Sequence, residues 1–84
     1  MNNFNKKQQN AVDYVRINEI TLRSEYGDSY IAVHPSGRVI DWDLDEFSLV
    51  KRVGLDFPGE FILINTIDKI VNPISLCLDS PEAA

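Results

Sequence analysis

The chain has 84 residues, 44% of them hydrophobic and 25% charged, and thirteen carboxylates against eight cations leave a net charge of −5. That balance argues against intrinsic disorder and, because no cationic excess is left to neutralise phosphates, against direct binding to nucleic acid. The length fits one domain at most, and so short a chain buries only about 60–65% of its unfolded surface, so a partner or a second copy would add materially to its stability.

Residues 1–10 carry Asn, Gln and Lys with a single aromatic. So little apolar area cannot offset the entropy of ordering, and the composition predicts a flexible polar tail. The tail lacks the apolar stretch of a secretion signal, and the longest wholly apolar run in the chain is Phe61 to Ile64, so no segment is expected to enter a membrane. From Ala11 to Arg23, Val15 and Ile17 fall on one parity and Ile20 and Leu22 on the other. A helix would spread these side chains around most of its circumference, so the pattern predicts a strand with one bulge at Asn18 or Glu19.

Ser24 to Ser29 reads as a turn, with Gly27 free to take positive φ. Tyr30 to His34 then reads as a strand, and Pro35-Ser36-Gly37 as a type I turn with glycine in the left-handed position. A three-residue loop opposes His34 to Arg38, Val33 to Val39, Ala32 to Ile40, Ile31 to Asp41 and Tyr30 to Trp42, which places Tyr30 and Trp42 on one face. Asp43 followed by Glu46 has the spacing of a capping box, predicting a helix from Leu44 to about Val53, closed by Gly54. Its apolar positions Leu44, Phe47, Val50 and Val53 would pack on the sheet, with Lys51 and Arg52 complementing the helix dipole; Phe47 and Phe57 read as core. Glu60 to Asn72 is compatible with one long helix or with a short strand over Phe61–Ile64 followed by a helical turn over Ile67 to Val71, and the second is preferred. Asn72-Pro73 is the stop, Ile74, Leu76 and Leu78 alternate as a last strand, and Asp79 to Ala84 read as loose.

Assembled, these elements predict an α+β fold. It has a small antiparallel sheet, a three-stranded meander over residues 12 to 42 with room for one or two further strands, and one or two helices on one face. The expected organisation is a flexible tail over 1–10, one domain over 11–78 and a loose end over 79–84.

Little chemistry is indicated. Asp41, Asp43 and Asp45 have the first spacings of a calcium loop, but its sixth position is Glu46 instead of glycine and its twelfth is Arg52 instead of glutamate, so no metal site is expected. His34, the only histidine, has Ser36 and Asp41 nearby in sequence. On a tight hairpin adjacent strand residues point to opposite faces, which opposes a convergent nucleophile, base and orienter. Cys77 stands alone, which removes disulfides and cysteine-based zinc clusters, suits a reducing cytosol, and leaves the thiol as a small apolar group. The four glycines each have a turn or cap explanation. The chain is therefore expected to be no enzyme and to carry no cofactor.

What remains is surface. Asp41, Trp42, Asp45 and Glu46 combine acid with the only tryptophan, a pairing that would steer toward and anchor on a basic protein surface. The sequence thus suggests a small cytoplasmic interaction module, an inhibitor or adaptor that covers a basic site on a larger, for instance nucleic-acid-binding, protein. By size and charge it is analogous to small acidic inhibitors of phage or bacterial origin. The alternative is a structural subunit that forms homodimers or larger homo-oligomers through its sheet. Trp42 is the residue on which a recognition face and a mere capped helix start differ most, as an interface anchor in the first and a core residue in the second.

Overall fold

The computed structural model describes the backbone of residues 3–72 and the side chains from Lys6 onward. The expected strand over Ile74 to Leu78, Cys77 and the loose end over 79–84 lie outside the described residues. In chain order the elements are α1 (Asn3–Ile17), α2 (Glu19–Tyr26), β1 (Tyr30–His34), β2 (Arg38–Asp43), α3 (Glu46–Asp56), β3 (Leu63–Thr66) and α4 (Ile67–Val71).

Pro35-Ser36-Gly37 reverses the chain as its residues dictate. Gly37 has φ 100° and donates its N–H to the His34 carbonyl at 2.9 Å, a conformation that glycine adopts without a Cβ penalty. A Cβ at this position would also meet the Tyr14 ring at 3.5 Å. The register begins as expected, with His34 opposite Arg38 and Val33 opposite Val39, and then slips: Ala32 faces Asp41, Ile31 faces Trp42 and Tyr30 faces Asp43. Ile40 is the extra residue of this bulge. A slip of one residue transfers every later side chain to the opposite face, so Tyr30 and Trp42 do not share a face.

Among the described residues the sheet has three antiparallel strands in the order β2-β1-β3, with β1 paired on both sides. The expected α+β class and small antiparallel sheet are therefore present, but the third strand is Leu63–Thr66 and not a segment of the meander placed over 12 to 42. Ala11 to Arg23 is helical instead. The strand reading assumed that Ile17 and Ile20 had to be buried, yet they are 80% and 87% exposed. With these two in solvent, Ala11 and Val15, four residues apart, form an ordinary helical core stripe with Val12 beside it. Asn18 marks the break between the helices, its backbone and side-chain N–H groups both donating to the Tyr14 carbonyl. α1 begins inside the segment whose composition suggested a tail, and residues 3–10 are its first turns. The turn expected over Ser24 to Ser29 is shorter, since α2 runs to Tyr26, and Gly27, at φ 57°, leads from helix to strand.

Alternation along β1 sends its residues to two separate cores. Ile31 and Val33, with Val39 and Leu63, face α1, α2 and α4 and pack with Ala11, Val15, Leu22, Ile67 and Ile70. Ala32, with Tyr30, Ile40 and Ile64, faces Leu49 and Val53 of α3. Helices thus occupy both faces of the sheet.

Helix α3 starts at Glu46, two residues later than expected, because Asp43 is still paired with Tyr30 in the sheet. The N-cap is Asp45, not Asp43: its carboxylate accepts from the Ser48 N–H at 2.9 Å and from the Ser48 hydroxyl at 2.7 Å. Gly54 is accommodated and the helix continues to Asp56. Shifting the start also changes the buried stripe to Leu49 and Val53. Leu44, Phe47 and Val50, which the three-residue spacing had assigned to the core, are 74%, 72% and 47% exposed. Further on, the preferred strand-then-helix reading describes the chain, although the strand lies two residues later than Phe61–Ile64. α4 spans Ile67–Val71 as expected, capped by the Thr66 hydroxyl, which accepts from Lys69 N–H. No helix among the described residues is long and apolar enough to cross a membrane.

Candidate functional site

The bulge decides what happens to the acidic segment. Asp41 and Asp43, opposite Ala32 and Tyr30, lie on the α3 side of the sheet, within reach of Arg52. The Arg52 guanidinium binds Asp41 through two nitrogens, Nε to Oδ2 at 3.0 Å and Nη2 to Oδ1 at 3.1 Å. Its Nη1 donates to Asp43 Oδ2 at 2.8 Å, and Nη2 also donates to the Trp42 carbonyl at 3.0 Å. A planar fork with five donors suits such a multiply bridged arrangement. The Arg52 hydrogen bonds hold the Asp41 carboxyl below its ordinary range, with a smaller contribution from the Trp42 N–H. For Asp43 the largest cause of the same downward shift is the Asp45 N–H, followed by Arg52. The two carboxylates in turn raise the Arg52 pKa.

The four residues singled out from the sequence are therefore dealt out to different tasks. Asp41 is bound to α3 by Arg52. Trp42 lies on the opposite face, its ring centroid 6.2 Å from that of Tyr26 and tilted by 54°, and it remains 51% exposed. Asp45 caps α3, and Glu46 in the first turn is exposed with no partner among the described residues. A cation, Arg52, occupies the place that a calcium loop would give to a metal. Among the described residues no group of three or more His, Cys, Asp or Glu side chains converges to hold an ion.

Sequence reasoning missed the display of Leu44, Phe47 and Val50. Phe47 and Val50 lie on the outward side of α3 and Leu44 in the bend before its cap, with the Lys51 ammonium 5.8 Å from the centre of the Phe47 ring. Spacing alone does not say which of two stripes a helix buries.

His34 is more constrained than a solvent-facing turn histidine, with a side chain only 23% exposed. The Ser36 N–H approaches Nδ1 at 3.0 Å and the Ser36 hydroxyl lies 2.8 Å from the same nitrogen, while Nε2 is 3.1 Å from Glu60 Oε1. Nδ1 is thus the acceptor and Nε2–H the donor to the carboxylate. Arg38 completes the cluster by donating to Ser36 Oγ at 3.1 Å. Asp41 is not part of it. The cluster ties the hairpin turn to the segment that precedes β3.

Comparison with protein-family models, with curated proteins and with solved structures finds no match.

Proposed function

We propose that this chain is a small acidic protein-interaction module, a cytoplasmic inhibitor or adaptor that binds a larger protein through the outward side of α3 and the end of β2. The observation that carries this reading is the exposure of Leu44, Phe47 and Val50 beside the Glu46 carboxylate, which has no partner among the described residues. Single exposed apolar residues are ordinary; Phe47 and Val50 on α3 with Leu44 in the bend before it, and a half-exposed tryptophan two residues before Leu44, together are what an anchor needs. The partner this surface suits has a basic rim around an apolar groove. Asp41 contributes little steering charge, because Arg52 already neutralises it, so Glu46 and Asp45 carry the electrostatic part.

The test has two arms. The partner is captured from the source cell, identified by mass spectrometry and purified, and its affinity for variants is then measured. Phe47→Ser and Leu44→Ser are expected to raise the dissociation rate, and Glu46→Lys to slow association with a weaker salt dependence. Undiminished affinity in all three folded variants would sink the proposal. A second reading, homo-oligomerisation through the sheet, is favoured by one observation: β2 is six residues long and is paired only on its β1 side among the described residues. Light scattering over a range of protein and salt concentrations distinguishes the two, since a salt-insensitive dimer that persists in Phe47→Ser supports the sheet edge.

A further inference from the structure

We infer that the cleft between α1, β3 and α4 is a binding site for a small organic anion, a carboxylate carried on an apolar body. This cleft is separate from the α3 surface, so the two readings stand or fall independently. Its volume is about 480 Å³, within the range of small-molecule sites, which are built from apolar walls and a few convergent polar groups.

The walls follow from the periodicity of the elements that make them. Gln8, Val12 and Arg16 recur at four-residue intervals along one side of α1, and Leu63 and Asn65 at alternate positions along one face of β3. Lys69 and Ile70 close the third side from α4. Ile70 is buried, and Val12 and Leu63 are half-buried, so the apolar part lies deep and the polar ends lie at the rim.

The charge of the site runs against that of the protein. In a chain with thirteen carboxylates and eight cations, no carboxylate is among the described lining residues, whereas two cations are. Neither Arg16 nor Lys69 has a side-chain ion pair or hydrogen bond among the described residues. Arg23 and Arg52, by contrast, are each bridged to two carboxylates. Asn65 adds a donor: its Oδ1 already accepts from the Thr66 N–H at 2.9 Å, which leaves the amide NH₂ for a ligand. Two cations without partners among the described residues, and an amide, over an apolar floor match a ligand with an anionic end and a hydrocarbon end. A carboxylate suits the planar Arg16 fork.

The experiment is a titration of the full chain, labelled with ¹⁵N, using 3-phenylpropanoate, its neutral amide 3-phenylpropanamide and inorganic phosphate as probes. The expected result is saturable movement of amide signals from Val12, Arg16, Asn65 and Lys69 with 3-phenylpropanoate. Affinity should fall by about tenfold in Arg16→Gln and in Lys69→Gln, the loss of one charge-assisted contact, and Arg16→Lys should retain part of it. Both positions are exposed, so thermal melting of the variants should match the parent. No saturable movement at tens of millimolar, movement confined to α3, or unchanged affinity in both glutamine variants would overturn the assignment. Equal binding of the neutral amide overturns the anionic half, and equal binding of phosphate overturns the apolar half.

Discussion

The two faces of the sheet are held in different ways. On one, α1, α2 and α4 share a cluster of seven buried apolar residues with β1; on the other, α3 meets the sheet through Leu49, Val53 and Ala32. A fully buried aliphatic side chain stabilises by about 1.5–3 kcal/mol relative to exposure, so most of the hydrophobic stabilisation lies on the first face. Helix α3 is fastened instead by polar devices at its margins, the Asp45 cap and the Arg52 bridge to β2. What this contrast teaches is that a helix can be positioned firmly while much of its apolar surface is left in solvent. A surface displayed in this way is pre-positioned, so a partner of the kind proposed above would not have to order it.

The largest expected effect tests the heavier face. Ile31→Ala should destabilise the whole molecule by about 3–5 kcal/mol, with exchange of all protected amides accelerated together. Leu49→Ala should cost less, about 2–3 kcal/mol, and hydrogen exchange should accelerate first in α3 and only later in β1. Equal losses and identical exchange patterns would erase the distinction between the faces.

Removal of the cap comes next. Asp45→Ala should destabilise by about 0.5–2 kcal/mol, measured by urea unfolding, and Ala in place of Asp43 should leave the Ser48 amide still capped. If the Asp43 variant alone showed the loss of helix signal, the capping assignment would be reversed.

Acid unfolding sharpens the role of Arg52. Asp41 and Asp43 have folded-state pKa values below the ordinary carboxylate value of about 3.9. Their contribution is therefore complete above that value and is lost as pH falls through the lowered folded-state values. Arg52→Gln should lower the melting temperature by a few degrees at neutral pH and flatten the loss of stability below about pH 4. Asp43 should keep part of its shift, since its leading cause is the Asp45 N–H. An acid limb identical to that of the parent would show that the bridge contributes nothing in solution. Smallest of all, Phe47→Ser should change stability by no more than about 0.5 kcal/mol while, on the function proposed above, raising the rate of dissociation from a partner; a large loss of stability would return Phe47 to the core.

Legibility in the sequence followed how local the determining physics is. The hairpin turn was readable because Pro35 and Gly37 constrain their own backbone, and α4 with its stop at Asn72 was readable for similar reasons. The α1–α2 region was not, because Ile17 and Ile20 are large apolar residues that remain exposed, and any periodicity that counts them as core is misled. The bulge at Ile40 left no mark, since Ile40 resembles its neighbours in type. That single unmarked residue determined the fate of the candidate site: Asp41 and Trp42 stand out in the sequence as an acidic and aromatic pair, but their assignment to opposite faces, and the pairing of Asp41 with Arg52, depend on a register that no local signal fixes. The cap read at Asp43 moved to Asp45, because strand pairing holds Asp43 in the sheet.

The position of β1 between β2 and β3 also governs how the chain finds its fold. The β1–β2 pairing closes a three-residue loop, whereas the β1–β3 pairing must bring Leu63 back to Val33 across the whole of β2 and α3. Closing a loop costs entropy that grows with its flexible length, and an 11-residue helix inside it converts a floppy stretch into a rod of about 16 Å. Early formation of α3 therefore makes the long closure less costly, so a helix that buries only Leu49 and Val53 bears on folding speed as well as on the core. Stopped-flow refolding of Asp45→Ala should show this as a slower folding limb, with the unfolding limb nearly unmoved.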